Sequence, residues 1–235
     1  MTTTLITGAN KGLGYETARR LVEAGHTVYV GARDAGRGRA AAERLGARFV
    51  LLDVTDDASV DAAAKTIEAD GGLDVLVNNA GVEWRRPNGE VPGAAELTAD
   101  DLRAVFETNV FGVVRVTHAF LPLLQRSEAP VIVNVGSGLA SLTKAQVPGT
   151  PHHDYPGVAY PASKTAINMI TLRYAHAFPQ MRINVVEPGY TATDLNHRTG
   201  HQTVEEGAEI IVRMAQIGPD GPTGGYFDAE GPLPW

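Results

Sequence analysis

The 235-residue sequence contains no cysteine, which excludes disulfide bonds, thiolate chemistry and cysteine-ligated zinc. A chain without cysteine is compatible with a reducing compartment. The N-terminal residues lack a basic segment followed by a long apolar run, so we expect no secretory signal peptide. No apolar run approaches the ~18 residues that a membrane-spanning helix needs. We therefore expect a cytoplasmic protein that does not associate with membranes.

A large excess of charge of one sign is also missing. The formal net charge is -7, and acidic and basic residues are interspersed along the chain. Such a surface argues against nucleic acid as a partner. We also find no internal repeat and no low-complexity segment, as expected for an ordinary globular protein.

Predicted strands and helices alternate along the whole chain. The strands are apolar throughout, which is typical of a parallel sheet covered on both faces. We therefore predict an α/β fold with one doubly wound parallel sheet of about seven strands and helices on both faces, in a single domain over residues 1–235. The longer connections 82–97 and 138–156 are expected to be surface or pocket-lining loops. Strands are predicted at 2–7, 27–31, 47–52, 73–77, 131–135, 182–186 and 224–227. Helices are predicted at 12–24, 35–45, 56–69, 157–178 and 204–216, and the stretch 98–124 is predicted to be mostly helical.

A glycine-rich turn joins the first predicted strand to the first predicted helix, with the spacing Gly-x-x-x-Gly-x-Gly. Gly8 permits the tight turn, Gly12 lets the backbone approach a pyrophosphate, and Gly14 allows close packing of the helix on the strand. An anion can then rest on the N-terminus of the helix. At this position in an alternating α/β chain, the turn predicts dinucleotide binding.

Tyr160 and Lys164 lie four residues apart, and so on one face of a predicted helix. A neighbouring ammonium favours the phenolate, so we expect the pKa of Tyr160 to be lowered from about 10. A tyrosine tuned in this way can donate or accept a proton near neutral pH. The pair alone also occurs on ordinary helices.

Several motifs, taken together and in order, resemble those of the short-chain dehydrogenase/reductase family over essentially the whole chain. The stretches Gly31–Gly38 and Gly72–Gly81 are similar to the NADPH-dependent carbonyl reductase branch. This resemblance implies a single-domain Rossmann fold and an enzyme that transfers hydride between NADP(H) and a small carbonyl or alcohol compound. The motifs are Thr7 to Gly14, Asn78-Asn-Ala-Gly81, Thr108-Asn-Val-Phe-Gly112, Val133-Asn-Val-Gly-Ser137, Tyr160-x-x-x-Lys164 and Pro188-Gly189.

The resemblance implies a catalytic role for four residues. Tyr160 would be the general acid for carbonyl reduction, and Ser137 would hydrogen-bond the same carbonyl oxygen. Lys164 would hold the ribose hydroxyls next to the nicotinamide and lower the pKa of Tyr160. Asn109 would hold a water that supplies protons to Lys164; a helix-bending or solvated asparagine is the alternative.

The resemblance also implies the cofactor-binding residues. Asp53 would cap the adenine amino group, and Asn78 with Asn79 would tie neighbouring strands to the cofactor loop. Residues Pro188, Gly189, Thr191 and Thr193 would lie against the nicotinamide amide and the pyrophosphate. The remaining contacts would come from Gly8, Asn10, Lys11, Gly12, Leu13, Gly14, Val54, Ala80 and Gly81, with Tyr160 and Lys164.

The end of the second predicted strand indicates the choice between the two nicotinamide cofactors. An NAD-preferring site needs an acid there, and in the resembling family that acid would fall at Ala32. Arg33, Arg37 and Lys11 are expected to surround the same place, which suits a 2'-phosphate. Asp34 would be the ribose acid only if the register slips by two, and we expect it to cap the second helix instead. The sequence therefore predicts NADPH.

The segment between Ser137 and Tyr160 is longer than the family's usual dozen or so residues. We expect residues 138–156 to lie beside the substrate opening, or across the helix that often pairs subunits in this family. A homodimer or homotetramer is compatible with the sequence, and so is a monomer. His152 and His153 suggest a metal site or a proton shuttle, but adjacent histidines in a strand point to opposite faces and no third ligand stands nearby. We expect an exposed loop and no metal site.

The sequence specifies the substrate pocket poorly. Three functions stay open: an NADPH-dependent carbonyl reductase, an NAD-linked alcohol dehydrogenase, and a redox-sensing protein that binds a dinucleotide without turnover. The intact catalytic set speaks against the third. The residues expected to line the pocket are Glu83, Trp84, Leu139, Ser141, Tyr190 and the segment 195–202, which we expect to be mobile.

Overall fold

The computed structural model describes residues 2–86 and 88–235, so position 87 of the connection 82–97 lies outside the described residues. The strands are β1 (Thr3–Thr7), β2 (Thr27–Ala32), β3 (Arg48–Leu51), β4 (Val75–Asn78), β5 (Val131–Val135), β6 (Arg182–Val186) and β7 (Tyr226–Phe227). The helices are α1 (Gly12–Glu23), α2 (Ala35–Leu45), α3 (Asp57–Ala69), α4 (Ala99–Phe106), α5 (Gly112–Leu124), α6 (Leu142–Ala145), α7 (Pro151–Asp154), α8 (Ala159–Ala177) and α9 (Val204–Ala215).

All seven strands form one parallel sheet in the order β3-β2-β1-β4-β5-β6-β7. The predicted sheet of about seven parallel strands is confirmed. Strand order reverses between β1 and β4, so the crevice at their carboxyl ends is where ligands bind in such sheets. The glycine-rich turn follows β1, and the Asn78–Gly81 stretch begins at the end of β4.

Each face of the sheet carries its own apolar core, because successive side chains of a strand point to opposite faces. Leu5 belongs to the cluster that contains Ile67 of α3 and Phe120 of α5. Its neighbour Ile6 belongs to the cluster formed with α1, α2 and α9. The predicted covering of both faces is therefore confirmed. Within the described residues, no helix is both long and apolar enough to cross a membrane.

The predicted stretch 98–124 is helical, but it is not one continuous α-helix. Thr98 opens it with a capping box, in which Asp101 is the residue at N3. A π-helical turn over Glu107–Phe111 then separates α4 from α5. Such single turns are frequent at functional sites, and this one contains Asn109. The last predicted strand, 224–227, is also too long, because Gly224 has a φ of 71° and therefore cannot be extended.

The predicted loop 138–156 contains regular structure. A 3-10 turn over Gly138–Ala140 leads into α6, and Thr150 caps α7 by accepting from the His153 amide. His152 and His153 thus stand in a helical turn, so the argument that assumed a strand is wrong. The His153 ring instead contacts its neighbour Asp154 at 2.7 Å. The described residues contain no group of three or more His, Cys, Asp or Glu side chains that could hold a metal ion.

Candidate active site

The turn after β1 packs directly against the end of β4. Gly8 and Gly12 have φ values of 66° and 57°, which residues with a side chain rarely adopt. A Cβ at Gly14 would lie 2.5 Å from Nδ2 of Asn79, so helix α1 can approach only without a side chain there. Asn79 Nδ2 donates to the Thr7 carbonyl at 2.8 Å and holds this contact. The expected tie between Asn79 and the cofactor loop is therefore observed.

The N-terminus of α1 is free of the groups that usually neutralise it. Lys11, at the N-cap position, makes no capping side-chain bond, and the first turn contains no acidic residue. The backbone amides and the positive end of the helix dipole therefore suit an anion such as a pyrophosphate. Thr193 forms the opposite side of this opening, because its methyl group would lie 3.8 Å from a Cβ at Gly12.

Asn78 joins β4 to its neighbours. Its Nδ2 donates to Asn134 Oδ1 of β5 at 2.8 Å and to Thr117 Oγ1 of α5 at 3.2 Å. Asn134 in turn donates to Thr171 of α8 at 2.8 Å. This buried chain of polar contacts fixes the end of the sheet from which the catalytic side chains project.

Ser137, Tyr160 and Lys164 meet just beyond the end of β5. Tyr160 and Lys164 lie in the first two turns of α8, and Pro161 is tolerated because it falls in the first turn. The Lys164 ammonium lies 5.7 Å from the centre of the Tyr160 ring and donates to the Val135 carbonyl at 2.7 Å. Ser137 Oγ accepts from the Leu139 amide at 3.3 Å, and a hydrogen bond to Ser137 lowers the pKa of Tyr160.

The expected lowering of the Tyr160 pKa is wrong. Burial raises the pKa of the phenol, the Glu83 carboxylate raises it further, and the Ser137 hydroxyl acts in the opposite direction. Burial also lowers the pKa of Lys164 to about 8, so the cation itself is disfavoured. Desolvation therefore has the largest effect on the pKa of both groups. The phenol is protonated at neutral pH.

Asn109 is fully enclosed in the π-helical turn, where it bridges to the loop after β4. Its Oδ1 accepts from the Val82 amide at 2.8 Å, and its Nδ2 donates to the Val82 carbonyl and to Ser163 Oγ. A Cβ at Gly81 would lie 3.5 Å from Asn109 Oδ1 and 3.7 Å from Lys164 Nζ. The bare Gly81 thus leaves the amide and the ammonium facing one small space. That a water occupies this space stays a prediction.

Two of the three predicted cations form ion pairs with neighbouring carboxylates. Lys11 Nζ pairs with Asp194 at 2.8 Å. Asp34 caps α2 as expected, accepting from the Arg37 amide at 2.9 Å. It also pairs with the Arg37 guanidinium at 3.0 Å. Arg33 is exposed at the end of β2.

Asp53, two residues after the end of β3, has a small hydrogen-bond network of its own. Its carboxylate accepts from the Thr55 amide at 3.0 Å and the Thr55 hydroxyl at 2.8 Å. Burial raises the pKa of Asp53, but the two Thr55 bonds and the charge of Arg33 outweigh it, so the net pKa is lowered. Val54, the next residue, is 8% exposed and supports the packing of Gly112.

The Pro188–Thr193 loop lies beyond the end of β6. Gly189 has a φ of 77°, and the Thr191 hydroxyl donates to the Pro188 carbonyl at 3.1 Å. The segment 195–202, expected to be mobile, is anchored at its end by Gln202, whose backbone pairs with Tyr190 and Ala192. Its mobility stays a prediction.

A cleft opens beside Tyr160, and the residues that line it do not include the glycine-rich turn. Glu83 and Trp84 line it as expected, together with Tyr155. Ser141 does not line a pocket, because it is 1% exposed and its hydroxyl donates to the Pro234 carbonyl. Sequence reasoning missed Tyr155, for which no motif exists. It also missed Glu187, the partly buried residue just before Pro188-Gly189, whose carboxylate raises the pKa of Tyr160.

Comparisons with known proteins agree with this geometry. The sequence model described as short chain dehydrogenase matches residues 2–204. The chain is 32% identical over 295 aligned residues to (+)-neomenthol dehydrogenase of Capsicum annuum, covering 95% of this chain and 94% of the relative. The structure of salutaridine reductase from Papaver somniferum is similar with a TM-score of 0.82 and 30% identity, covering 97% and 99% of the two chains. NADPH-bound carbonyl reductase from chicken fatty liver shares the fold, with a TM-score of 0.85, 24% identity and coverage of 100% and 99%.

The family match and the relatives both extend over most of the chain, and the fold agrees with that of solved members of the family. The chain therefore belongs to the short-chain dehydrogenase/reductase family, whose members are oxidoreductases that act on alcohol and carbonyl groups with NAD(P).

Proposed function

We propose that this chain is an NADPH-dependent reductase of a small carbonyl compound, a ketone, aldehyde or quinone, with Tyr160 as the proton donor. The observation that supports this most is the protonated Tyr160 phenol beside Ser137 at the carboxyl end of β5, with Lys164 one turn away. The names of the relatives, a dehydrogenase of (+)-neomenthol and a reductase of salutaridine, favour the same reaction class.

The residues of the crevice fit a dinucleotide. The uncapped amides of α1 suit the pyrophosphate, and the bare Gly14 and Gly81 leave room along the β1 and β4 ends. When bound, the reduced nicotinamide supplies the hydride. We expect Lys164 to hold the ribose, Asp53 the adenine, and Arg33 the 2'-phosphate.

The side chains then have distinct tasks in reduction. As the carbonyl oxygen gains negative charge, Tyr160 donates its proton and Ser137 donates a hydrogen bond to the same oxygen. Asn109 and Lys164 face one small space, through which a proton can return to Tyr160 by way of a water. Burial excludes bulk water from these groups, which strengthens their electrostatic effect.

A turnover screen tests the proposal. Neutral ketones, aldehydes and quinones are supplied with NADPH or NADH, and the corresponding alcohols with NADP⁺ or NAD⁺. We expect carbonyl reduction with NADPH to have the largest kcat/KM, and Tyr160→Phe to abolish it. Dominant alcohol oxidation with NAD⁺ would favour the NAD-linked dehydrogenase, and tight dinucleotide binding without turnover of any compound would favour a sensor.

We also propose that the protein forms a homodimer or homotetramer. Phe111 and Met169 are apolar yet 51% and 59% exposed, and they stand on the π-helical turn and on α8. Burying such side chains stabilises an interface between subunits. Light scattering of the purified protein measures the mass, and a monomer at every concentration would contradict the proposal.

A further inference from the structure

Glu83 is a nearly buried carboxylate in the wall of the cleft beside Tyr160. Its side chain is 5% exposed, and it lines the same cleft as Tyr155 and Tyr160. Charged groups are seldom buried in this way without partners. The contacts of Glu83 therefore indicate what the residue does.

Two different loops supply those contacts. Arg85, from the connection after β4, approaches Glu83 Oε2 with Nη2 at 2.6 Å and Nε at 2.7 Å. The Tyr155 hydroxyl, 72 residues away in the chain, donates to the other oxygen, Oε1. Arg85 also donates to the Gly89 carbonyl at 3.0 Å, so it holds its own loop as well. Glu83 is thus the point at which the connections 82–97 and 138–156 meet.

Tyr155 extends this junction toward the catalytic helix. A Cβ at Gly157 would lie 2.6 Å from Val91 of the first loop and 2.7 Å from the Tyr155 ring. Tyr160 lies three residues after Gly157, in the first turn of α8. A displacement of the Glu83 junction would therefore move the wall of the cleft next to the proton donor.

The charge of Glu83 also acts on the Tyr160 phenol. The groups that face Tyr160 are Glu83 and Arg85 from the loop after β4, Ser137 after β5, Lys164 from α8, Glu187 after β6, and Tyr155 and Tyr226. Apart from burial, the carboxylate of Glu83 raises the pKa of Tyr160 most, and Glu187 adds to it. Arg85 and the Ser137 hydroxyl act in the opposite direction.

We propose that Glu83 is a positioning residue for the reaction, which joins the two substrate-side loops through Arg85 and Tyr155 and directs its negative charge at the Tyr160 phenol. This inference rests on the proposed function, in which Tyr160 donates the proton. It assigns two effects to one side chain. The contacts with the loops shape the cleft for the carbonyl compound, and the charge keeps the donor protonated.

The pH dependence of reduction tests the electrostatic effect. Glu83→Gln keeps the shape but removes the charge, and it leaves Arg85 as an unpaired cation near the phenol. We expect the alkaline fall of kcat/KM to move to lower pH than in the wild type. Glu90→Gln removes the same charge from an exposed position in the same loop and should leave the profile unchanged. An unchanged profile in Glu83→Gln would overturn the proposal.

Comparing KM for the carbonyl compound with KM for NADPH tests the effect of the junction on the cleft. Tyr155→Phe breaks the bond between the loops but retains the charge of Glu83. We expect a 3- to 30-fold rise in KM for the carbonyl compound, as for the loss of about one or two kcal/mol of binding, with KM for NADPH unchanged. Equal changes in both constants, or no change in either, would show that the junction does not shape the cleft.

A spectroscopic titration separates failure of this inference from failure of the proposed function. The change in near-ultraviolet absorbance with pH is measured for the wild type and for Tyr160→Phe, and the difference between the two curves reports the ionisation of Tyr160. The same subtraction is made between Glu83→Gln and the double variant Glu83→Gln/Tyr160→Phe. We expect a lower titration midpoint in the Glu83→Gln background, whether or not any carbonyl compound is turned over. The same titration midpoint in both backgrounds would overturn the role of Glu83, even if the enzyme is an active reductase. Variants of low stability can be titrated at low temperature.

Discussion

At the scale of single residues, Tyr160 is a neutral phenol that is ready to donate. Burial raises its pKa, and two carboxylates, Glu83 and Glu187, raise it further. A phenol in this state can give a proton to an oxygen that is gaining negative charge, which is the need of carbonyl reduction. Ser137 can donate to the same oxygen, so the pair divides the stabilisation of the developing alkoxide.

Removing the phenolic hydroxyl should therefore abolish the chemistry and spare the fold. For Tyr160→Phe we expect kcat to fall by about 10²–10⁴-fold, with the dissociation constant for NADPH and Tm near their wild-type values. Ser137→Ala should cost ~10²–10³ in kcat, as for the loss of one donor to the oxyanion. Steady-state kinetics and fluorescence titration measure these quantities. Tyr174→Phe, farther along α8, is the matched control and should retain full activity.

Lys164 should make the stability of the unliganded protein depend on pH. Burial lowers its pKa from the ordinary value of 10.5 to about 8, so the unfolded chain binds more protons between these values. Stability then rises as the pH increases from about 8, by roughly 2–4 kcal/mol over the full interval. Chemical denaturation at pH 7, 8, 9 and 10 measures the slope. Lys164→Met should lack this rise, and a parallel slope in the variant would refute the assignment.

At the scale of elements, the contact between α1 and the end of β4 depends on the absence of a side chain. Gly14→Ala would place a methyl group 2.5 Å from the Asn79 amide nitrogen and 3.0 Å from the Gly8 carbonyl. We expect a loss of about 1–3 kcal/mol in unfolding free energy and a weaker affinity for NADPH, because the amides of α1 move. Gly218→Ala adds a methyl group in open space and serves as the control. Equal stability of the two variants would contradict the packing argument.

The elements also show how far the sequence predicts this structure. The alternation of strands and helices gave the order of the core elements, because periodicity reflects burial. The break at Glu107–Phe111 was missed, since a π-helical turn inserts one residue without disturbing the apolar pattern much. Short helices α6 and α7 were missed for a different reason: four residues are too few to show a period. Turns such as these depend on local capping by Ser141 and Thr150.

The sequence likewise predicts some residues of the candidate site and not others. Ser137, Tyr160 and Lys164 stand in motifs whose spacing predicts their position, and the structure brings them together. The junction of Glu83 with Tyr155 spans 72 residues and has no local signal, so it required the folded chain. The direction of the Tyr160 pKa was wrong, because helical spacing shows a neighbouring cation but not the depth of burial.

At the scale of the whole molecule, the distribution of charge along the crevice bears on the cofactor. The chain has a net charge of -7, yet Arg33 and Arg37 follow the end of β2. Of the carboxylates near them, Asp34 caps α2 and pairs with Arg37, and Asp53 accepts from Thr55. Two ion pairs near this site are exposed to solvent: Asp34 with Arg37, and Lys11 with Asp194. Exposed ion pairs contribute little to stability, so their members can change partners at low cost.

The cofactor preference follows from this arrangement. Ala32 ends β2 where an NAD-binding chain needs an acid, and the exposed Arg33 follows it directly. With bidentate bonds to a phosphate worth ~1.5–3 kcal/mol each and partly redundant, we expect NADPH to exceed NADH by roughly 2–4 kcal/mol in kcat/KM. Lys11 adds to this only if it leaves Asp194, so Lys11→Ala should have the smaller effect.

Three variants measured with both cofactors decide the matter. Arg33→Ala should reduce the preference, chiefly by raising KM for NADPH, because the ground state and the transition state lose the same phosphate contact. Ala32→Asp should raise kcat/KM for NADH and lower that for NADPH, since a carboxylate accepts from a ribose hydroxyl and repels a phosphate. Arg39→Ala, two residues after Arg37 in α2 and packed over Phe49, removes a cation of the same kind and should leave the ratio unchanged. Equal use of NADH and NADPH by the wild type would contradict the prediction, because two arginines at the 2'-position would then contribute nothing to discrimination.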